Sequence, residues 1–389
     1  MIRVDRITLR EIHLPLVEPF RTAGGTVSVR RIVLLELGDA AGVTAWSECV
    51  AEALPTYSAD TVDSSWLALT EWIVPAVLGR SFASANVVHP LLERGIRGHR
   101  MGCAAVEMGI WTLEARQRGC SLAALLASAS AVTREKGVAP RQTVDTGIAI
   151  GMQPTVDALV ARARAARDDG YRRIKIKIAP GNDVALVTAV LPLRSASLSI
   201  TADANCSYSL DDAEHRRALD ALDTLGLAML EQPLAHDDLV RHAELQRRMT
   251  TPLCLDESVT GEASVEAMIA LGSARMVNVK PGRVGGFAAA VAIHDRCARA
   301  GIALMCGGML ECGIGRAYNV ALASLPGFTA PGDLSPSSRY WARDVVTPAW
   351  TMDGEGRVRV PTEIFGLGVE VDVGYVEALT VREASFRGR

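Results

Sequence analysis

The sequence predicts a (β/α)8 barrel joined to a smaller α+β domain, and three observations predict it. First, Lys177, Asp203, Glu231, Asp256 and Lys280 follow one another at steps of 26, 28, 25 and 24 residues. A strand, a turn, a helix and a second turn need about that many residues, whereas a strand and hairpin need far fewer. Second, each of the five lies in or ends an apolar, strand-like run: RIKIKI, SITADAN, AMLEQP, LCLDES and MVNVK. Third, the chain ahead of this array reads as strands and then helices, the pattern of a separate α+β unit.

Residues 2–14, 28–38 and 43–50 read as a three-stranded meander, with VEPFRTAGG between the first two as a mobile, Gly-rich loop. From Ser58 the period becomes helical, in SADTVDSSWLALTEWIVPAVLG and then HRMGCAAVEMGIWTLEARQRG, the latter closed by Gly119 as a C-cap. These elements make a capping domain over residues 1–126. The polar, weakly periodic stretch 127–142 reads as a linker, and 143–364 as the barrel. Within it, TVDTGIAI, RIKIKI, SLSITADAN, AMLEQP, LCLDES, MVNVK and ALMCGG alternate with helical segments. Seven strands are plain, and an eighth is expected near 327–334. An open doubly wound sheet is the alternative, but the phosphate fingerprint such folds often carry after the first strand is missing.

Composition narrows the function classes. With 389 residues and 49% apolar content, the chain can fill a barrel core and a second unit. Its net charge of −3, from 41 Lys+Arg against 44 Asp+Glu, and the lack of a basic run argue against a nucleic-acid partner. Eight cysteines show neither a CxxC pair nor the Cys/His spacing of structural zinc, so they read as small core residues. The start, MIRVDRITLREIHLPL, alternates like a strand rather than a signal peptide, and no apolar stretch reaches the length of a membrane span. A soluble, cytoplasmic protein with no membrane partner is expected.

In a parallel barrel the C-terminal strand ends converge on one mouth. Asp203, Glu231 and Asp256, with no His or Cys ligand nearby, are hard oxygen donors that suit Mg²⁺, or another divalent ion such as Mn²⁺, better than zinc or copper. A single Asp at such a place is more often a helix N-cap or a solvated strand end; three at consecutive strand ends point to a metal. Lys175 and Lys177, two apart in a strand, face the same side, their Cα atoms about 6–7 Å apart. If Ile174, Ile176 and Ile178 pack outward against helices, both lysines point into the barrel, the alternative being a solvated edge-strand pair. Burial and a neighbouring cation would then lower the pKa of Lys177 toward that of a general base. Lys280 lies across the ring and offers a second amine on the other face of a substrate. Arg283 is expected either to depress the Lys280 pKa or to hold an anionic group, unless it is a surface-loop arginine. A metal between two amines suits removal of a proton next to a carboxylate, a weak carbon acid whose enolate needs stabilising as it forms.

The blocks KIKIAPG, DAN, EQP, LDES, NVKPGRVGG, CGGMLECGIGRAYNVALASLP and PGDLSPSSRY resemble the o-succinylbenzoate synthase and N-acylamino acid racemase family, in the muconate-lactonizing subgroup of the enolase superfamily. The resemblance covers nearly the whole chain. It implies a capping domain completed by the C-terminal tail, about 365–389, which closes over the barrel through the 16–26 loop and Pro55–Ser58, with Phe20 and Tyr57 toward the substrate. It implies Lys177 as base, Lys175 as its electrostatic neighbour, Lys280 as opposite-face acid/base or cation, and Asp203, Glu231 and Asp256 as Mg²⁺ ligands. Asn205, Arg283 and the backbone of Gly307, Gly308 and Met309 would contact substrate, and Glu311 would support the site. Two departures, Cys312 where relatives usually carry Thr and Ala149 where many carry Ser, bear on a hydroxyl contact to substrate rather than on the core chemistry.

No histidine falls at a predicted strand end, so the His base of mandelate-racemase-like enzymes is absent, and PGDLS offers one Asp where dipeptide epimerases carry Asp-x-Asp. Two reactions remain: racemisation of N-acyl, above all N-succinyl, amino acids, and the dehydration that gives o-succinylbenzoate in menaquinone biosynthesis. Racemisation needs two competent lysines, whereas syn-dehydration can use Lys177 alone. Arg283 beside Lys280 therefore favours racemase activity, with o-succinylbenzoate synthase as companion or alternative. Two readings come from other classes. A Schiff-base aldolase using Lys177 or Lys280 would leave three convergent carboxylates without purpose, and a non-catalytic barrel would exchange no α-proton. A small carboxylate substrate and a homo-oligomeric assembly are expected.

Overall fold

In the computed structural model, which describes residues 1–22 and 25–388, the alternating N-terminal segment forms one long hairpin. Arg6–Thr22 pairs antiparallel with Gly25–Gly38, from Arg6 opposite Gly38 out to Thr22 opposite Gly25. Thr44–Cys49 extends the sheet on one side and the C-terminal strand Thr380–Arg387 on the other. Alternation buries Ile7 and Leu9 along the first strand, and Leu35 and Leu37 opposite them. The helix Arg100–Gln117, buried along most of its length, packs on the sheet through Thr44–Cys49.

The loop expected over 17–25 is largely strand instead. Its Pro and Gly residues signal a turn, but the pairing only shifts register between Pro15 and Phe20 and then resumes. Pro19, which has no N–H to give a ladder, sits inside that irregularity, so the ribbon carries it without ending. Ala23 and Gly24 of the expected loop lie outside the described residues. The first predicted helix is also less regular than its period suggests: Val62–Ala68 passes through a π-helical turn, Leu69–Ile73, before Val74–Val77. Pro75, lacking an N–H, sits just after that turn, where a change of hydrogen-bond register absorbs the missing donor. The stretch read as a linker contains the helix Ala131–Lys136, whose Val132 and Thr133 are buried.

Seven parallel strands follow in chain order across one curled sheet: Gly147–Ile150, Arg173–Lys177, Ser199–Asp203, Leu230–Glu231, Leu253–Leu255, Met276–Val279 and Ala303–Cys306. The eighth strand expected near 327–334 is not formed. The extended segment 330–333 bridges the two sheet edges instead. Ala330 N and Asp333 N donate to Leu304 O and Cys306 O at 3.1 and 2.8 Å, while Gly332 N donates to Asp145 O at 3.1 Å and Gly147 N to Gly332 O at 2.6 Å. Pro331 supplies no N–H, so the segment closes the ring without becoming a full ladder. Inside the barrel, Met229, Cys254 and Met305, joined by Met276 and Ala330, form an apolar floor beneath the charged mouth.

Sheet and barrel meet at a buried carboxylate. Glu107, from the helix Arg100–Gln117, accepts from Phe287 N (2.8 Å) and Ala288 N (2.9 Å) at the start of the barrel helix Phe287–Ala300, and from Trp111 Nε1 (2.6 Å). The two backbone donors are free N–H groups of a helix N-terminus, which favour negative charge. Gly286, at φ +119°, leaves the space the carboxylate occupies. Among the described residues no helix is long and apolar enough to cross a membrane. A Glu107→Gln substitution would set an amide NH₂ against N–H donors; it is expected to lower unfolding free energy by about 1–3 kcal/mol, read as a reduced midpoint in urea titration.

Candidate active site

Strand register assembles the site. Lys177 pairs with Asp203 and Asp203 with Glu231 across neighbouring strands, and Asp256 lies two residues beyond Cys254, the partner of Glu231. Parallel partners point to the same face, so all four side chains enter the mouth. Lys175 and Lys177 do point into the barrel, while Ile174, Ile176 and Ile178 are buried in the core around it.

The mouth alternates in charge. Lys175 Nζ donates to Glu231 Oε2 (3.0 Å) and Asp333 Oδ2 (2.8 Å) and lies 3.6 Å from Asp203 Oδ2. Lys177 Nζ donates to Asp203 Oδ2 (2.7 Å) and Asn205 Oδ1 (2.6 Å). Across the ring, Lys280 Nζ donates to Asp256 Oδ2 (2.9 Å), and its ammonium sits 4.3 Å from the centre of the Tyr57 ring. Arg283 donates to the other oxygen of Asp256, to Tyr57 Oη and to Val259 O, and Tyr57 Oη itself donates to Asp256 Oδ1 at 2.9 Å. Gly307 is required beside this group: a Cβ there would lie 2.7 Å from Lys280 Cε.

Burial is the largest single influence and acts to lower the Lys280 pKa, but the Asp256 carboxylate, Tyr57 and Glu231 together outweigh it and the ammonium is held well above the ordinary lysine range. Arg283 does act to depress the Lys280 pKa, as expected, but as a smaller contribution that leaves the net shift upward, and its guanidinium also holds the Asp256 carboxylate. It is not a surface-loop arginine, since it is buried. Lys175 is likewise raised; burial opposes, and Asp333, Glu231 and Asp203 prevail. At Lys177 the Asp203 carboxylate touches the amine directly. Burial pushes Glu231 up to about 7, with the Asp203 charge adding to it, and Glu257 up to about 8, with Asp256 and Asp203 adding.

A cavity of about 930 Å³ opens over these groups and is lined by Lys175, Lys177, Asp203, Asn205, Lys280 and Arg283 from the barrel. Phe20 and Tyr57 reach it from the hairpin and the segment after Thr44–Cys49, and Gly308, Met309 and Ala149 also line it. Glu311 does not. It is buried behind the wall, where Oε1 accepts from Met309 N and Asn319 Nδ2, both at 2.7 Å. Cys312 is fully buried as well, its thiol donating to Glu48 rather than facing the cavity.

Sequence reasoning missed four members of this cluster. Arg173 precedes Lys175 by two and so shares its face; it donates to Asp333 and to Pro331 O. Asn278 precedes Lys280 by two and donates to Glu231 Oε1 at 2.8 Å. Asp333, noticed only as the single Asp of PGDLS, partners Lys175. Glu257 accepts from Asn205 Nδ2 at 2.9 Å, and its other oxygen is buried without a partner.

Barrel, cap and charged mouth define a capped-barrel enzyme. The family profile "Enolase C-terminal domain-like" matches residues 158–375, and that of the "Mandelate racemase / muconate lactonizing enzyme, N-terminal domain" matches 6–127. The chain is 41% identical over 385 residues to an o-succinylbenzoate synthase of Geobacillus kaustophilus, covering 97% of this chain and 96% of that one. It is 42% identical over 368 residues to an N-succinylamino acid racemase of an Amycolatopsis species, covering 95% of each. A solved enolase-superfamily structure from Listeria innocua superposes with a TM-score of 0.91 at 35% identity, over 100% of both chains. The chain belongs to the enolase superfamily, as an enzyme of the o-succinylbenzoate synthase and N-succinylamino acid racemase type.

Enzymes of this superfamily generally use a divalent metal, typically Mg²⁺. Among the described residues no three His, Cys, Asp or Glu side chains already converge as a metal cluster, because Asp203, Glu231 and Asp256 each turn to a cationic side chain. The donor set nevertheless fits a hard cation: three carboxylates on adjacent strand ends, all oxygen, with the unpartnered Glu257 oxygen buried beside them.

Replacing Asp333 by Asn would leave the Arg173 and Lys175 cations buried with one carboxylate fewer. Removing one partner of a buried ion pair costs about 3–5 kcal/mol, so Asp333→Asn is expected to lower stability by an amount in that range, measured by chemical denaturation.

Proposed function

We propose that the protein removes a proton α to a carboxylate through an enolate, with racemisation of N-succinylamino acids as its main reaction and o-succinylbenzoate synthesis as a second activity of the same site. The observation that carries this reading is the pair of amines in one cavity, Lys177 and Lys280, on strands separated by those bearing Asp203, Glu231 and Asp256. A racemase needs an acid/base group on each face of the reacting carbon; a dehydratase can work with one. Relatives of similar identity carry both names, which supports one site serving both reactions.

Asp203, Glu231 and Asp256 would hold Mg²⁺, or Mn²⁺ in its place. When bound, the ion supplies positive charge to the carboxylate oxygens as the enolate forms. The side chains do the rest. Lys177, oriented by Asn205, takes or returns the proton on one face, and Lys280, steadied by the Tyr57 ring, serves the other. Lys175 keeps its charge through Asp333 and Glu231 and so acts on the site electrostatically rather than as a base. Arg283, through Asp256 and Tyr57, ties the capping segment to the strand end next to Lys280. The backbone at Gly307–Met309, with Asn205, Phe20 and Tyr57, would meet the rest of the substrate.

In D₂O, Lys280→Ala is expected to abolish racemisation of an N-succinylamino acid while α-proton exchange continues from one enantiomer; racemisation at the wild-type rate would remove Lys280 from the mechanism. Chelation is expected to abolish activity and added Mg²⁺ to restore it. Borohydride treatment with substrate should trap no adduct, and a trapped lysine adduct would instead favour a Schiff-base enzyme.

A further inference from the structure

Glu48 and Cys312 take no part in the chemistry proposed above, yet they form one of the most enclosed polar contacts between the N-terminal sheet and the barrel. Glu48, on Thr44–Cys49, is completely buried. Its Oε1 accepts from Cys312 N at 3.2 Å, and its Oε2 accepts from the Cys312 thiol at 3.0 Å and from Gly315 N at 2.9 Å. All three donors belong to the start of the barrel helix Gly313–Ala323. Burial pushes the Glu48 carboxyl up to about 8, and the Cys312 thiol is the largest group pulling it back, ahead of the Gly315 amide and Arg30, while Glu311 pushes it further up. Gly315 is part of the fit, since a Cβ there would lie 2.7 Å from both Glu48 Oε2 and Glu311 Cβ.

What lies on either side of the contact gives it a role. On the barrel side, Cys312 follows Glu311, whose carboxylate holds Met309 N at 2.7 Å, and Met309 lines the cavity. On the sheet side, the chain runs from Glu48 directly into the segment that carries Glu52, Leu54 and Tyr57, which line the same cavity. Two segments of the cavity lining are thus the continuations of the two residues that meet at this hydrogen bond.

We propose that Glu48 and Cys312 form a positioning joint that sets the spacing between the lining segments 308–310 and 52–57, and through it the fit of the substrate. Neither is a catalytic residue. The Cys312 thiol acts as a hydrogen-bond donor to Glu48, a duty a threonine hydroxyl would also perform, so the difference from relatives noted in the sequence leaves the joint intact. The inference rests on the reading that N-succinylamino acids occupy this cavity.

The deciding comparison is Cys312→Thr against Cys312→Val, nearly equal in shape and different in donor. Cys312→Thr should keep the wild-type kinetics. Cys312→Val should raise KM for an N-succinylamino acid about tenfold, the scale of one lost hydrogen bond, with kcat changed less than twofold. Equal KM values for the two variants would overturn the joint, as would a fall in kcat alone. Infrared spectroscopy tests the contact without substrate: the S–H stretching band lost in Cys312→Ser should lie below that of a free thiol and move up in Glu48→Gln. A band already at the free-thiol position in the wild type would overturn the proposal even if Glu48→Gln fails to fold. A wild-type enzyme inactive on N-succinylamino acids but with the shifted band would sink the functional reading and the joint's kinetic role together, a result distinct from active enzyme with indifferent variants.

Discussion

Everything at the mouth depends on keeping ionised groups of both signs buried close together. An isolated carboxylate or ammonium in such a place would pay several kcal/mol in lost hydration. Here Asp203, Glu231, Asp256 and Asp333 alternate with Lys175, Lys177, Lys280 and the guanidinium groups of Arg173 and Arg283, so each charge has an opposite neighbour within hydrogen-bonding distance. The parallel register makes this arrangement cheap to build, because a single rule of strand pairing puts a side chain from each strand at the same height. The apolar floor of Met229, Cys254 and Met305 then closes the polar layer from below.

The alternation also explains why these lysines cannot be understood one at a time. Lys175 and Lys280 sit in deep burial, which alone favours the neutral amine, but their carboxylate neighbours reverse the sign. The same amines keep Asp256 and Asp333 well below the usual carboxylate range, against burial that would raise them. Change in any one member therefore redistributes protons among the rest, which is the behaviour expected of strongly coupled sites.

Much of this was legible in the chain. Barrel spacing follows from the length of one strand and one helix, and inward direction follows from a period of two, so the carboxylates and all three lysines could be placed without coordinates. The same period would have found Arg173 and Asn278, each two residues from a recognised lysine. Asp333 and the Glu48–Cys312 contact were not legible in this way. Asp333 sits on a segment that never becomes a strand, so no periodicity points to its direction, and Glu48 meets Cys312 across a separation of 264 residues that no local pattern encodes. The hairpin was misread at VEPFRTAGG because turn chemistry is local, while the pairing that carries the ribbon past Pro19 is set by the whole length of the two strands.

Closure of the barrel by residues 330–333 places two duties on one short stretch. Its backbone seals the first strand to the last, and at its end the Asp333 side chain holds Lys175 and Arg173. A loop that merely connected elements would tolerate insertions; this one leaves no slack. One added residue between Phe328 and Gly332 would shift the bridging amides and swing the carboxylate away from the amine together, so the seam of the barrel and the charge balance of its mouth can change only as a unit.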